Sequence, residues 1–512
     1  MKKLLFCLSF LLCLKEALPQ IQGFFNVYEQ SGKSFCASAA IETEDNSLII
    51  AVYDYYGGAG ELQKISDGGF MLKRLPIGID NAFSGVEGLY RDPWHTDSFY
   101  AIGHITRWDE QISKPFVMHF SEDLDLLDWM EVDLPGEYCQ FNMSRSIFTN
   151  EGDFLYVTSL GPQNAYHRLY MRIALDGRLM NFHEETEGCG SSIMTNAIFG
   201  FPGGDRFGEY RNSYLEQGYI TQQQRLLGFD DNFVFDTIHE YGGIYQVFGD
   251  TTYMILNGSV ANGTAMSLND TVLLFSDRAY EKWYDGVSGT TYATDYSTIL
   301  FSSDLEGDIK KFLVIGSGND TTDVPFPFNA VDIAKAGTHD ETWIYHGCFG
   351  CSAIPSSSPY NITLTKTDES LDVVWQKSYT HATRFLQATS LLATNNGGCL
   401  VVGGAYNHSN NHYDLFVLKI NVNGMVGTDD LLVEDLHLYA YYPNPAQNEL
   451  HLQYSPDVQP KQIELYDLQG RLVRSQSNGL ENLDLQGLSA GQYLMRVGLA
   501  NGKVFSDKVV KE

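Results

Sequence analysis

The chain has 512 residues, 44% hydrophobic and 19% charged, with a formal net charge of −31. Its length exceeds one ordinary core, so at least two domains are expected, and its apolar share excludes a disordered chain. The negative surface repels phosphate backbones and anionic lipid, which excludes nucleic acid and an electrostatically held membrane as partners; solubility is its plain role.

Residues 1–20 have the pattern of a signal peptide. Lys2-Lys3 form a basic start and Leu4 to Leu14 an apolar run too short to span a bilayer. Cleavage is expected between Ala17 and Gln22, and Leu12 argues against a lipoprotein site at Cys13. No later stretch approaches ~20 consecutive apolar residues, so no transmembrane segment is expected. Beyond this leader lie Cys36, Cys139, Cys189, Cys348, Cys351 and Cys399. An exported chain permits disulfides among them. Cys348-Phe-Gly-Cys351 fits a local bridge or core cysteines better than zinc, which needs a second pair, or a redox motif, which needs a helix start.

From 34 to 428 the chain repeats a two-part unit. The first part is strand, Asp/Asn/Gly turn, strand, as in Ser38–Ile50, Ser146–Val157, Ala330–Ile344 and Thr389–Val401. The second is another strand–turn–strand: LQKISDGGFML at 62, VMHFSEDLDLL at 117, MRIALDGRLM at 171, LTKTDESLDVVW at 364 and VLKINVNGMV at 417. Weaker copies are LLGFDDNFVF near 226 and VLLFSDRAYEKW near 272, while Asn319–Phe328 is a loop where a further copy would fall. Four short strands per unit at a period of about 54 residues describe a β-propeller, of about seven blades with six or eight left open. The stretch Asn396–Gly404 with Asp414–Lys419 resembles the divergent propeller-like repeats of many exported bacterial proteins.

The propeller carries no catalytic signature, and no catalytic residue is assigned. Ser121–Trp129 and Ser302-Ser-Asp304 depart from the sialidase Asp box at its glycine position and are expected to be blade turns. Glu87, Glu184, Glu185, Asp230 and Asp231 could supply a carboxylate pair for glycosidic cleavage, which requires two groups ~5–9 Å apart. His408 and His412 have zinc-like spacing but lie in an Asn-rich loop between strands, where the helical reason for that spacing is missing. No cofactor is expected; calcium is the metal that the Asp/Asn-rich turns would suit, although no EF-hand loop is present. Two functions remain open. One is a propeller that binds a glycan, protein or peptide; the alternative is a hydrolase of polysaccharide or peptide with carboxylates at the channel mouth.

An acidic linker, 429–441, leads to a tail, 442–512. Pro443-Asn444-Pro445 makes a rigid entry into the strand Glu449–Tyr454. Asp467-Leu-Gln-Gly470 and Ser489-Ala-Gly491 are turns, and Tyr493–Val497 is a strand. These pieces predict a small antiparallel, Ig-like sandwich. Their order, with Gly491-Gln492-Tyr493 and the terminal Lys508–Lys511, resembles the type A C-terminal sorting domain of the type IX secretion system. The resemblance implies Sec export to the periplasm and then translocation by the type IX machinery. It also implies tail removal, followed by attachment to surface lipopolysaccharide or release, so that the protein is secreted or displayed on the outer-membrane surface.

Overall fold

The computed structural model describes residues 23–29, 33–54, 58–78, 82–107, 109–110, 112–138, 141–160, 167–185, 194–201, 206–214, 222–240, 245–248, 251–255, 264–285, 290–315, 331–338, 341–351, 361–381, 383–407, 409–426, 439–442, 446–454, 460–467, 471–499 and 504–511. Among them there are strands and turns and no helix. The chain divides into two compact units, Met1–Val426 and Gly427–Glu512. The expected signal peptide and the loop Asn319–Phe328 lie outside the described residues.

The larger unit is a set of antiparallel sheets. Blade 1 is Phe35–Glu42, Leu48–Asp54, Glu61–Ile65 and Met71–Pro76. Blade 2 is Ala82–Arg91, Ser98–Arg107, Ile112–Ser121 and Leu126–Glu131. Blade 3 is Phe141–Phe148, Phe154–Leu160, Arg168–Ile173 and Leu179–Glu185. Blade 4 is Met194–Gly200, Phe207–Tyr214, Gln222–Phe229 and Phe235–Glu240. Blade 5 is Thr264–Asn269, Val272–Asp285, Thr290–Ser303 and Ile309–Ile315, with a hairpin, Tyr245–Phe248 and Thr251–Ile255, added along Ala279–Glu281. Blade 6 is Val331–Thr338, Glu341–Cys351, Asn361–Asp368 and Val373–Tyr379. Blade 7 is Phe385–Ala393, Cys399–Asn407 and His412–Ile420, and its outer strand is Phe24–Tyr28 from the start of the chain.

The first strand of each blade lies against the first strand of the next, and that of blade 7 returns to that of blade 1. This closed ring is a seven-bladed β-propeller, as the period implies. Second and third strands are buried on both faces, which is why Leu48–Val52 and Cys399–Val402 read as unbroken apolar runs. Fourth strands such as Met71–Pro76 are largely exposed.

Two details differ from the sequence reading. The propeller contains Phe24–Tyr28, ahead of Ser34, because the outer edge of blade 7 is completed by that strand. The copy expected at 272 is a single extended strand, Val272–Asp285, paired throughout with Thr290–Ser303. No turn residue interrupts it; the third-to-fourth turn of blade 5 is at Asp304–Asp308 instead.

One device closes these turns. A Ser, Asp or Asn side chain accepts the backbone N–H four residues on: Ser66 from Phe70, Ser121 from Asp125, Asp230 from Val234, Asp304 from Asp308, Asp368 from Asp372 and Asn421 from Met425. The fourth position takes a positive φ. It is Gly at 69, 177, 307 and 424 but Leu124 (φ 56°), Phe233 (φ 56°) and Leu371 (φ 58°) elsewhere. Each of those three side chains is almost fully buried, so apolar burial offsets the left-handed strain.

Two residues before such a turn stands a group that reaches onward to the next blade. Lys64 meets Asp123 at 3.1 Å, Arg172 meets Asp231, Lys366 donates to the Val422 carbonyl at 3.2 Å, and Lys419 meets Asp67 at 2.7 Å. The basic residue two places before the turn is therefore a blade-to-blade staple.

The smaller unit packs the sheet Tyr439–Tyr442, Glu449–Tyr454, Asn482–Asp484 with the sheet Leu472–Gln476, Pro460–Tyr466, Gly491–Leu499, Val504–Lys511. Leu450, Leu452, Ile463, Leu465, Met495, Val497 and Val509 fill the space between them. Arg474 clamps the sheets by donating to the Asp484 carbonyl at 2.6 Å and the Gln486 carbonyl at 2.8 Å.

Candidate functional site

Antiparallel order places the first–second and third–fourth turns of every blade at one end of the ring. That end is tight and capped. The second–third connections and the crossings from one blade to the next belong to the other end. Binding surfaces belong on such loops and on the channel wall beneath them.

The channel wall is made of first strands, and six of these, in blades 1, 2, 3, 4, 5 and 7, carry a register shift relative to the second strand, in blade 3 between Asn142 and Arg145. In blade 2 the extra residue is Glu87, between Val86 and Gly88. A bulge re-aims the side chain it inserts. Glu87 Oε1 lies 3.2 Å from His104 Nδ1. The His104 ring is buried between Phe83, 5.6 Å away centroid to centroid, and Phe141, 5.8 Å away, and Phe83 meets Tyr53 edge-on at 6.3 Å. Beside them the Tyr90 hydroxyl and Ser146 Oγ are 2.9 Å apart. Gly88 makes that approach possible, since a Cβ there would stand 2.4 Å from Ser146 Oγ. Burial, together with the charge of Glu87, pushes the Tyr90 and Tyr156 hydroxyls up.

Farther round the ring, Asp332 of blade 6 accepts the Leu391 N–H of blade 7 and its neighbour Ile333 N–H, each at 2.9 Å. Burial pushes its carboxyl up to about 6, against those two bonds and the positive charge of Arg145. Arg145 is exposed on the first strand of blade 3. Among the described residues the wall therefore includes the Glu87–His104 pair, the cations Arg145 and Lys335, the Asp332 carboxyl and half-buried rings.

Of the carboxylates singled out from sequence, only Glu87 lies on a first strand. Glu184 pairs with His167 and accepts the Tyr138 hydroxyl at 3.1 Å, while Glu185 accepts that of Tyr170 at 3.3 Å. Asp230 caps its turn and Asp231 pairs with Arg172. Ser121 and Asp304 are turn caps, as expected of the departed Asp boxes. Among the described residues, no cluster of three or more His, Cys, Asp or Glu could hold a metal; His408 lies outside them. Cys348 and Cys351 fall on one strand, with side chains outside the described residues. Cys36 and Cys399 are buried thiols outside any disulfide.

His104, Tyr90, Arg145 and Asp332 were missed by sequence reasoning. Asp332 left one signal, a lone acid between Val331 and Ile333 in a first strand; the others depend on which blades meet.

In the tail, Asp467 accepts the Arg471 N–H at 2.9 Å and pairs with its guanidinium. Tyr493 is buried and donates to the Ser489 carbonyl at 2.7 Å. Gly491 and Lys508 lie in the paired final hairpin, opposite Lys511 and Leu494. The Lys-rich last strand is thus a full edge strand. Pro443, Asn444, Pro445 and Gly470 lie outside the described residues.

Residues 440–512 match the family model of the secretion system C-terminal sorting domain. This tail addresses the chain to the type IX secretion machinery and so to the cell surface or the medium. No curated protein matches the chain. Solved structures similar to it include the GH93 α-L-arabinofuranosidase of Fusarium graminearum with arabinobiose, at 10% identity and TM-score 0.42, covering 78% of this chain and 98% of that one. The polysaccharide lyase Uly1 has 8% identity and TM-score 0.43, covering 79% and 95%. The β-propeller domain of the trilobed protease from Pyrococcus furiosus has 8% identity and TM-score 0.38, covering 81% and 99%.

Proposed function

We propose that this chain is an exported binding protein whose propeller takes a glycan, protein or peptide ligand on the loop-bearing end of its channel. What supports the reading is the use made of its acidic side chains. Glu184, Glu185, Asp230 and Asp231 are engaged with His167, Tyr170, a turn and Arg172, so a hydrolytic pair cannot be drawn from them without breaking the scaffold. The N-terminal leader serves Sec export. The sorting tail is removed at the surface, where the propeller is anchored to lipopolysaccharide or released.

The test is to apply the purified full-length protein to glycan and peptide arrays while following hydrolysis of the same probes. Retention of a defined ligand class without turnover is the expected result. Turnover of a glycan or peptide probe, or no retained class, overturns it.

A further inference from the structure

The channel wall of blade 2, flanked by blades 1 and 3, has features that a purely structural contact does not need. His104 is 6% exposed, yet its Nδ1 makes no hydrogen bond of acceptable geometry, although Glu87 Oε1 is 3.2 Å away. A buried polar atom left in this way costs free energy and calls for a functional reason. Glu87 itself keeps 20% of its side chain exposed, at a bulge on the channel wall. Tyr53 and Phe83, both half-buried, offer ring surface at the loop-bearing end.

A carboxylate has two acceptor oxygens, which match the two donors of a vicinal diol, and an aromatic face suits the C–H face of a sugar ring. The net charge of −31 opposes an anionic ligand. We propose that this part of the wall is a subsite for one neutral sugar unit. Glu87 accepts hydrogen bonds from adjacent hydroxyls beside the His104 ring, and Phe83 with Tyr53 supports the sugar. The inference rests on the binding-protein reading and names its ligand class.

The test is calorimetric titration of the full-length protein with glucose, galactose, mannose and arabinose, and with the neutral glycans retained on the array. Glu87→Gln keeps the shape but removes the charge, and is expected to weaken neutral-glycan binding about tenfold or more. Phe83→Ala is expected to weaken it as well. Glu184→Gln, on the outer strand of blade 3, is expected to leave it unchanged. Array binding to neutral glycans that survives Glu87→Gln overturns this site while leaving the binding reading intact. Equal loss in Glu87→Gln and Glu184→Gln also overturns it, as does retention of peptides alone. No retained class at all removes the binding reading itself.

Discussion

Lys419 Nζ lies 2.7 Å from Asp67 Oδ1 and 2.9 Å from Glu42 Oε1, across the seam where blade 7 meets blade 1. Lys419 and Glu42 are almost wholly buried, and the ring closes through them. Lys419→Met strands a buried carboxylate, and a loss of about 3–5 kcal/mol is predicted. Urea unfolding measures it. Lys73→Met, which removes a surface pair with Asp125, should leave the midpoint where it was.

Leu124 holds a left-handed turn position while its side chain is buried among blade 1 and blade 2 core residues. Leu124→Ala should cost about 2–5 kcal/mol through the lost packing. Leu124→Gly should cost up to about 1 kcal/mol less, since glycine carries no left-handed strain. A glycine variant that is more stable than its alanine counterpart reverses the usual order; thermal denaturation of the two tests it.

Asp332 gives the propeller a pH dependence with a definite sign. Its folded pKa, about 6 through burial, lies above the unfolded value of ~3.9. The folded state therefore binds the proton more tightly. The stability this supplies is complete below pH ~4 and is lost as the pH rises through about 6. Asp332→Asn cannot ionise, so its stability relative to the parent should improve by up to about 2–3 kcal/mol between pH 4 and 7. Denaturant curves at several pH values decide it; parallel profiles for the two proteins would rule it out.

Burial pushes the Cys36 thiol up to about 12 and raises that of Cys399 too. Neither should react with a maleimide in the native protein, and both should react in denaturant. Mass spectrometry of labelled peptides reports this directly.

Removal of residues 440–512 takes away the whole sorting unit, whose core is its own. The propeller is predicted to accumulate in the periplasm, resistant to protease. Surface display or secretion at the parental level would refute the role of the tail.

Much of the scaffold is legible without coordinates because it is local. The strand-joining turns recur along the chain, and their caps need only neighbours four residues away, as Asp304 and Asp308 illustrate. The tail strand Glu449–Tyr454 alternates in burial over its described positions because one face meets a core. At 272 in blade 5 an apolar run followed by Asp and Arg resembles a strand and turn, whereas pairing with Thr290–Ser303 keeps it extended. The strand Phe24–Tyr28 is not legible as part of the repeat because its partner, Leu415–Lys419, lies almost four hundred residues away in the chain.

By itself the sequence determined the repeat, the all-β class and the address carried by the tail, since periodicity and turn chemistry act over a few residues. Only the tertiary structure decided which acids are scaffold and which face the channel. Glu87 and Glu184 look alike as letters; a bulge turns one to the channel wall beside His104, and His167 and Tyr138 tie down the other. That difference arises from blades meeting across long sequence distances, where pairing and burial, not residue type, set what a side chain can do.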